Sequence, residues 1–385
     1  MKKMTRFISL LVIITIFISA FCINSSAAKT PTISNSGTRH QLCTSLSDAA
    51  KGYYTDNYTY DTLSEKSSSD ILNSLRDLMK NTHSYKSSYD DCKLLAPYTD
   101  SQNSDGKIVL IYSSVSVTSK DFVSGNKGWN REHVWPKSLG GFGESGAGSD
   151  LHHVRPSDVT LNGTRSNNKY GNAPSGKAVT GSSTVSGMTG GKLSGGYFEP
   201  LDNVKGDVAR ICLYVYARYG GEMSKCNNIT NVFQSVDVLL DWCELDPVDT
   251  WEMSRNDVVD DIQGNRNVFI DYPEYAWLIF NKEVPNDMKT PSGIAMQSNS
   301  DSNSDNSTET PDSNDSTTAP NVDETVTNDN STTKPNETKK SETKKTDKDT
   351  SKDSSSGSCD SSIAISAICV VGIVGVMAVI KKKED

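Results

Sequence analysis

The sequence predicts an α+β domain in which helices predominate over a small sheet, and three stretches carry that prediction. In KSSSDILNSLRDLMK (66–80), Ile71, Leu72, Leu75, Leu78 and Met79 fall on one helical face, with serines and Asp70 available as N-caps. KIVLIYSSVSV (107–117) opens at Gly106 and is rich in β-branched residues, the composition of a strand. The C-terminal third returns to helical spacing: KGDVARICLYVYARY (205–219) aligns Val208, Ile211, Cys212, Val215 and Tyr219, and residues 231–243 and 273–281 have the same pattern. Between these elements, residues 137–150, with SLGGFGESGAGSD, and residues 171–196, mostly Gly, Ser and Thr, read as loop. No internal repeat is visible.

This domain is expected to occupy residues 29–290. Residues 1–28 carry Lys2, Lys3 and Arg6 ahead of an apolar core and a small-residue exit, the pattern of a signal peptide cleaved after Ala28. Residues 291–358 are Ser, Thr, Asn, Asp and Lys with almost no large apolar side chain, so they cannot bury enough surface to offset their ordering entropy and read as a disordered stalk. Residues 361–380 are uncharged and long enough for a transmembrane helix, and the tail 381–385 begins with three lysines, as on a cytoplasmic side. The expected arrangement is a cell-surface ectodomain held by one C-terminal span.

Charge and cysteine content narrow the function classes. The chain carries −9; residues 1–28 contribute +3 and residues 291–385 contribute −6, which leaves −6 on the domain. An acidic domain is not a general polyanion binder, so any nucleic-acid site must be a local basic patch or a metal site. The domain has five cysteines, Cys43, Cys92, Cys212, Cys226 and Cys243, without a CxxC. That composition predicts one or two disulfides outside the cell and supports neither a thiolate zinc site nor a cysteine nucleophile.

Three of the five histidines, His133, His152 and His153, cluster with other chemical groups in NREHVWPKS (130–138) and GSDLHHVRPSDVTLNGTRSNNKYGN (148–172). Pro136 breaks any helix and Val134-Trp135 favours extended backbone, so His133 belongs on a strand or at its end. Ser157 and Asp158 are N-cap residues for a short helix that carries Asn162 about one turn in. Phosphodiester hydrolysis needs a base that works near neutral pH, hard oxygen ligands for a divalent ion, and a cation for the phosphate. His133 fits the first need, Glu132 and Asn162 the second, and Arg165 the third. Each also has an ordinary reading. His133 could be a hydrogen-bonded histidine beside Trp135, Asn162-Gly163 a simple turn, and Asn167 or Asn168 the oxygen ligand instead.

The motifs REHVWPKS, DLHHVRPSD, LNGTRSN, FEPLDNVKGDVAR (198–210) and RNDVVDDIQGNRNVFIDYPEYA (255–276) together resemble the secreted bacterial endonuclease I family, over about residues 45–285. The resemblance implies a ββα-metal (His-Me finger) motif embedded in a mostly helical domain with a small antiparallel sheet. It implies His133 as general base, Glu132 and Asn162 as metal ligands, and Asp150 and His152 as supports behind them. The short glycine-rich segment after the Glu-His pair has no room for a phosphate-binding arginine that some relatives carry there. That role passes to Arg155 first and Arg165 next. QGNRN (263–267) is read as loop scaffolding, and Trp251 and Trp277 as core.

The function expected from this resemblance is a metal-dependent endonuclease, with Mg²⁺ or in its place Mn²⁺ or Ca²⁺. It would act as a monomer on DNA, with RNA a second substrate, and leave 5′-phosphates with little sequence preference. Two rivals use the same residues: a non-catalytic surface module for binding or adhesion, and a metal-dependent phosphoesterase for small substrates.

Overall fold

A computed structural model describes residues 39–102, 105–123, 126–182 and 187–294, all within the first of two compact units, Met1–Thr310. The predicted leader, most of the stalk, the apolar span 361–380 and its tail lie outside the described residues. No helix among the described residues is long and apolar enough to cross a membrane.

Helix α1, Ser68–Thr82, forms where the apolar spacing places it. The Ser67 side chain accepts from the Asp70 amide at its N-terminus, and Ile71, Leu75, Leu78 and Met79 are buried while Leu72 stays at the margin. Two further helices matter here. α2, Val159–Arg165, is short, whereas α3, Lys205–Tyr219, is buried on nearly every side. A helix buried all round must pair its charges internally. Accordingly Arg210 of α3 forks onto Glu252 at 2.9 and 2.5 Å, and Asp207 meets Arg39. Helices α4, Val236–Leu245, and α5, Thr250–Gln263, complete the helical bulk, with α4 packed along α3.

The run 107–117 is not one strand. It folds into a hairpin of β1, Lys107–Val109, and β2, Ser116–Thr118, with a turn at Ser113-Ser114, where Ser114 adopts φ +55°. Ile108 to Tyr112 are all fully buried, and a short apolar run looks the same whether it is buried as strand or as turn. β3, Trp129–His133, pairs antiparallel with β4, Val154–Asp158, in a register that sets Glu132 opposite Arg155 and His133 opposite Val154. The predicted loop 171–196 instead supplies strands to a four-stranded sheet of β5, Lys169–Tyr170, β6, Lys177–Thr180, β7, Thr189–Ser194, and β8, Tyr197–Glu199. Its order is β5-β8-β7-β6, antiparallel except for the β5-β8 pair. Its glycines have a packing reason: a Cβ at Gly190 would stand 2.6 Å from Leu161 of α2, and one at Gly191 2.2 Å from the Glu199 carbonyl.

The expected disulfides do not form among the described residues. Cys43, Cys92, Cys212, Cys226 and Cys243 are all free thiols, each buried among apolar neighbours.

Candidate active site

β3, β4 and α2 run consecutively in space, two antiparallel strands followed by a helix laid against them. β4 passes straight into α2 through Asp158, whose Oδ1 accepts from the amides of Thr160 and Leu161. The same carboxylate accepts from the Ser182 amide at 2.9 Å and its hydroxyl at 2.6 Å, tying the four-stranded sheet to the helix start.

Alternation along β3 divides its side chains between two faces. Asn130 and Glu132 face α2. The Asn162 amide Nδ2 donates to Asn130 Oδ1 at 2.7 Å and to the Arg131 carbonyl at 3.3 Å, so its Oδ1 turns the other way and accepts no hydrogen bond among the described residues. One turn on, Arg165 Nη1 reaches Glu132 Oε1 at 2.9 Å, and its Nη2 donates to the Val134 carbonyl at 2.6 Å. Tyr112 donates to the same Glu132 oxygen at 2.5 Å. Burial pushes the Glu132 carboxyl up, against the pull of Arg165 and of the Tyr112 hydroxyl.

His133 ends the strand on the opposite face. Its ring stacks on Tyr89 at 5.7 Å and meets His153 edge-on at 5.6 Å. Nε2 lies 2.9 Å from the Gly148 carbonyl, which can only accept, so Nε2 carries the hydrogen and Nδ1 holds the lone pair. Nδ1 makes no hydrogen bond among the described residues. Burial, followed by His153, lowers the imidazole pKa to about 3, so the ring is neutral at neutral pH. His153 fixes the surrounding loop: it lies 2.6 Å from the Ala147 carbonyl through Nδ1 and accepts from the Trp135 amide at 2.9 Å through Nε2.

The other predicted residues stand elsewhere. Arg155 is buried, with Nε on Asp100 at 2.8 Å and its guanidinium 4.9 Å from the Trp251 ring centre. Arg165 is 1% exposed, with both Nη groups committed to Glu132 and backbone carbonyls and the guanidinium over the Tyr170 ring. Neither presents a cation to a substrate phosphate; desolvating a guanidinium requires such internal partners. Asp150 is the buried hub of a turn, accepting from Tyr214, Tyr219, Gln263 and the His152 amide. His152 points to the Asn265 carbonyl at 2.8 Å and not to Glu132, His133 or Asn162; the histidine behind His133 is His153. Residues 151–153 form a turn, so the alternation of an extended chain does not hold there. QGNRN is scaffolding as expected, with Arg266 on Asp271 and Gln263 on Asp150, and Trp251 and Trp277 are buried. Tyr112, Tyr89 and Arg131 also line this region; of the three only Arg131 has a signal visible in the sequence, two residues before His133 on one strand face.

No cluster of three or more His, Cys, Asp or Glu side chains suited to a metal exists among the described residues. β3 carries the Glu132 carboxylate, held by Arg165 and Tyr112, and α2 carries the Asn162 amide oxygen, which accepts no hydrogen bond among the described residues. This donor set suits a hard divalent ion that keeps most of its waters, and it does not suit zinc.

The whole arrangement lies within residues 67–274, the span that matches the family model described as Endonuclease I. The chain belongs to the endonuclease I family. The extracellular ribonuclease of Bacillus subtilis (strain 168) is 36% identical over 235 residues, 58% of this chain and 78% of that protein. The extracellular ribonuclease of Bacillus amyloliquefaciens is 41% identical over 181 residues, 44% of this chain and 60% of its own length. Endonuclease-1 of Buchnera aphidicola subsp. Acyrthosiphon pisum (strain APS) is 29% identical over 122 residues, 32% of this chain and 44% of its own length. This endonuclease I family member is therefore a nuclease, and its substrate is nucleic acid.

Proposed function

We propose that this nuclease hydrolyses phosphodiester bonds in RNA and DNA outside the cell, with His133 as general base and Glu132 and Asn162 as ligands of a divalent ion, Mg²⁺ first. The observation that carries the reading is the imidazole tautomer. Gly148 takes the Nε2 hydrogen, leaving Nδ1 as the proton acceptor at the end of a strand whose other face holds the oxygen pair. His133 removes a proton from water, the water oxygen bonds to phosphorus, and the bond from phosphorus to the 3′ oxygen breaks, leaving a 5′-phosphate. The ion supplies charge neutralisation at the phosphate and leaving oxygen when bound. Burial keeps the Nδ1 lone pair unprotonated, and His153, Phe142 and Tyr89 hold the ring in place. The strand-strand-helix order of β3, β4 and α2 supports reading them as a ββα-metal motif.

RNA belongs with DNA in this proposal because two similar proteins are named extracellular ribonucleases and others Endonuclease-1. Export by residues 1–28 rests on that segment's own sequence and on the names of the relatives, whereas anchoring by residues 361–380 rests on that segment's sequence alone. Digestion of plasmid DNA and of a long RNA by the purified protein tests the mechanism. Cleavage with Mg²⁺, its loss in EDTA and its loss in His133→Ala are expected. Full activity in His133→Ala would remove the histidine from its role. Anchoring is tested separately: deletion of residues 361–380 should move the nuclease from the membrane fraction to the medium.

A further inference from the structure

With Arg155 and Arg165 committed to the interior, the phosphate grip has to come from another cation, and the geometry around His133 offers one. We propose that Arg131, laid flat on the Tyr89 ring, binds a phosphate of the substrate strand beside the one attacked by the water that His133 deprotonates. This rests on the His133 reading above.

Arg131 and His133 are separated by one residue on β3, so both side chains leave the same face of the strand. Both also lean on one aromatic ring. The Arg131 guanidinium carbon lies 3.6 Å from the Tyr89 ring centre, while the His133 imidazole stacks on Tyr89 with ring planes 22° apart. Arg131 Nη1 donates to the Tyr89 carbonyl at 2.8 Å, which fixes the plane of the guanidinium as well as its position. Its side chain keeps 16% of its surface exposed, in contrast to the 1% of Arg165. The one carboxylate paired with it among the described residues, Asp90 at 3.3 Å, is itself 83% exposed, so this pair is weak and screened and yields readily to a phosphate dianion or diester.

Neighbouring cations extend the row. Lys93 sits 4.4 Å over the Phe122 ring, which also lies 5.1 Å from Arg131, and Lys137 stands 5.6 Å from the Tyr89 ring centre. An acidic domain thus presents a short line of cations braced on Phe122 and Tyr89, and that line leads to the imidazole. A planar guanidinium matches two phosphate oxygens where a lysine would meet only a point charge. Contacts of this kind read the backbone and not the bases.

The test separates a phosphate contact from a purely structural tie between β3 and the Tyr89-Asp90 loop. Cleavage of a fluorescent oligoribonucleotide is followed with Mg²⁺ across a range of salt, and binding of the same oligonucleotide is followed by anisotropy in EDTA. Arg131→Ala is expected to lower kcat/KM about 10- to 100-fold at low salt. It should also flatten the slope of log affinity against log salt by about 0.7 for this single strand. Arg131→Lys should restore the salt slope but only part of the affinity. Tyr89→Leu should lower affinity without changing the number of charges, as expected of a positioning residue. A folded Arg131→Ala protein with wild-type affinity and salt slope in the binding assay would overturn the proposal. So would a loss of thermal stability in Arg131→Lys that fully accounts for its loss of cleavage. The EDTA binding arm requires no catalysis, so an active His133→Ala protein would remove the base assignment and leave the Arg131 result readable.

Discussion

Glu132 and Arg165 are charges that can be buried only because they are buried together. Arg165 also holds the carbonyls of His133 and Val134, so one guanidinium fastens both the carboxylate and the strand end that carries the base. Arg165→Ala should destabilise the protein by about 3–5 kcal/mol, because it leaves the Glu132 carboxylate without its cation. Urea unfolding checks this, and a loss near zero would mean that the clamp is not needed. Asn162→Ala is the contrasting change. Its Oδ1 accepts no hydrogen bond among the described residues, where the two Nδ2 bonds to Asn130 and Arg131 are what is lost. Stability should fall by about 1 kcal/mol. Cleavage should fall at least about 10- to 100-fold, the loss that even an outer partner of a metal site produces. Parallel unfolding and rate measurements on this variant separate ligand from scaffold.

Among the elements, α2 is the one on which the proposed site depends. At seven residues it is too short to be stable alone, and it relies on Asp158 at its cap and on β7 across Gly190. Asp158→Ala should cost about 2 kcal/mol or more, since it strips acceptors from two helix amides and from Ser182. Cleavage measured well below the unfolding temperature should drop with it, whereas Asp158→Asn, which keeps one oxygen, should retain more of both. The cap and the helix were legible in the sequence because capping is local: SDV after a proline carries its own instruction. So was the end of β3 at His133, with Pro136 three residues away. The β5–β8 sheet was not legible, because its glycines are there for close approach to Leu161 and Glu199, and those partners are distant in the chain. The buried partners of Arg155 and Arg165 were not legible for the same reason: Asp100 and Glu132 lie 55 and 33 residues away from them respectively. His152 and His153 were indistinguishable by letter and were separated only by the turn at 151–153.

At the scale of the whole molecule, acid sensitivity comes from histidines that the fold keeps neutral. His83, His152 and His153 are each lowered to about 4, in every case first by burial. His83 approaches Asp150 at 4.0 Å, but burial keeps its ring uncharged at neutral pH. An unfolded histidine titrates near 6.5, so between that pH and about 4 the unfolded chain takes up protons that the folded chain refuses. The stability tied to His83 is therefore complete above about 6.5 and is lost as pH falls toward 4, by about 3 kcal/mol in all. Asp246, raised to about 7 by burial and Asp207, works in the opposite sense, but it is common to wild type and variant and cancels between them. His83→Asn should thus gain on wild type as pH drops from 7 to 4.5, measured by urea unfolding at each pH. An unchanged difference would show that His83 titrates alike in the folded and the unfolded chain.

The five buried thiols have a consequence for how long such a nuclease lasts. While the domain is folded, none is exposed, and burial pushes Cys92, Cys226 and Cys243 up to about 12, so little reactive thiolate exists. Unfolding would release all five at once, with ordinary acidity, into surroundings that oxidise them. Refolding then competes with cross-linking and sulfur oxidation, and the survival of activity becomes a matter of rate. A heated and cooled sample should recover more cleavage with reductant present than in air, the reverse of what a disulfide-stapled secreted enzyme would do. Equal recovery in both would show that the thiols play no part. On this account, each excursion to the unfolded state in air puts the molecule at risk of permanent retirement.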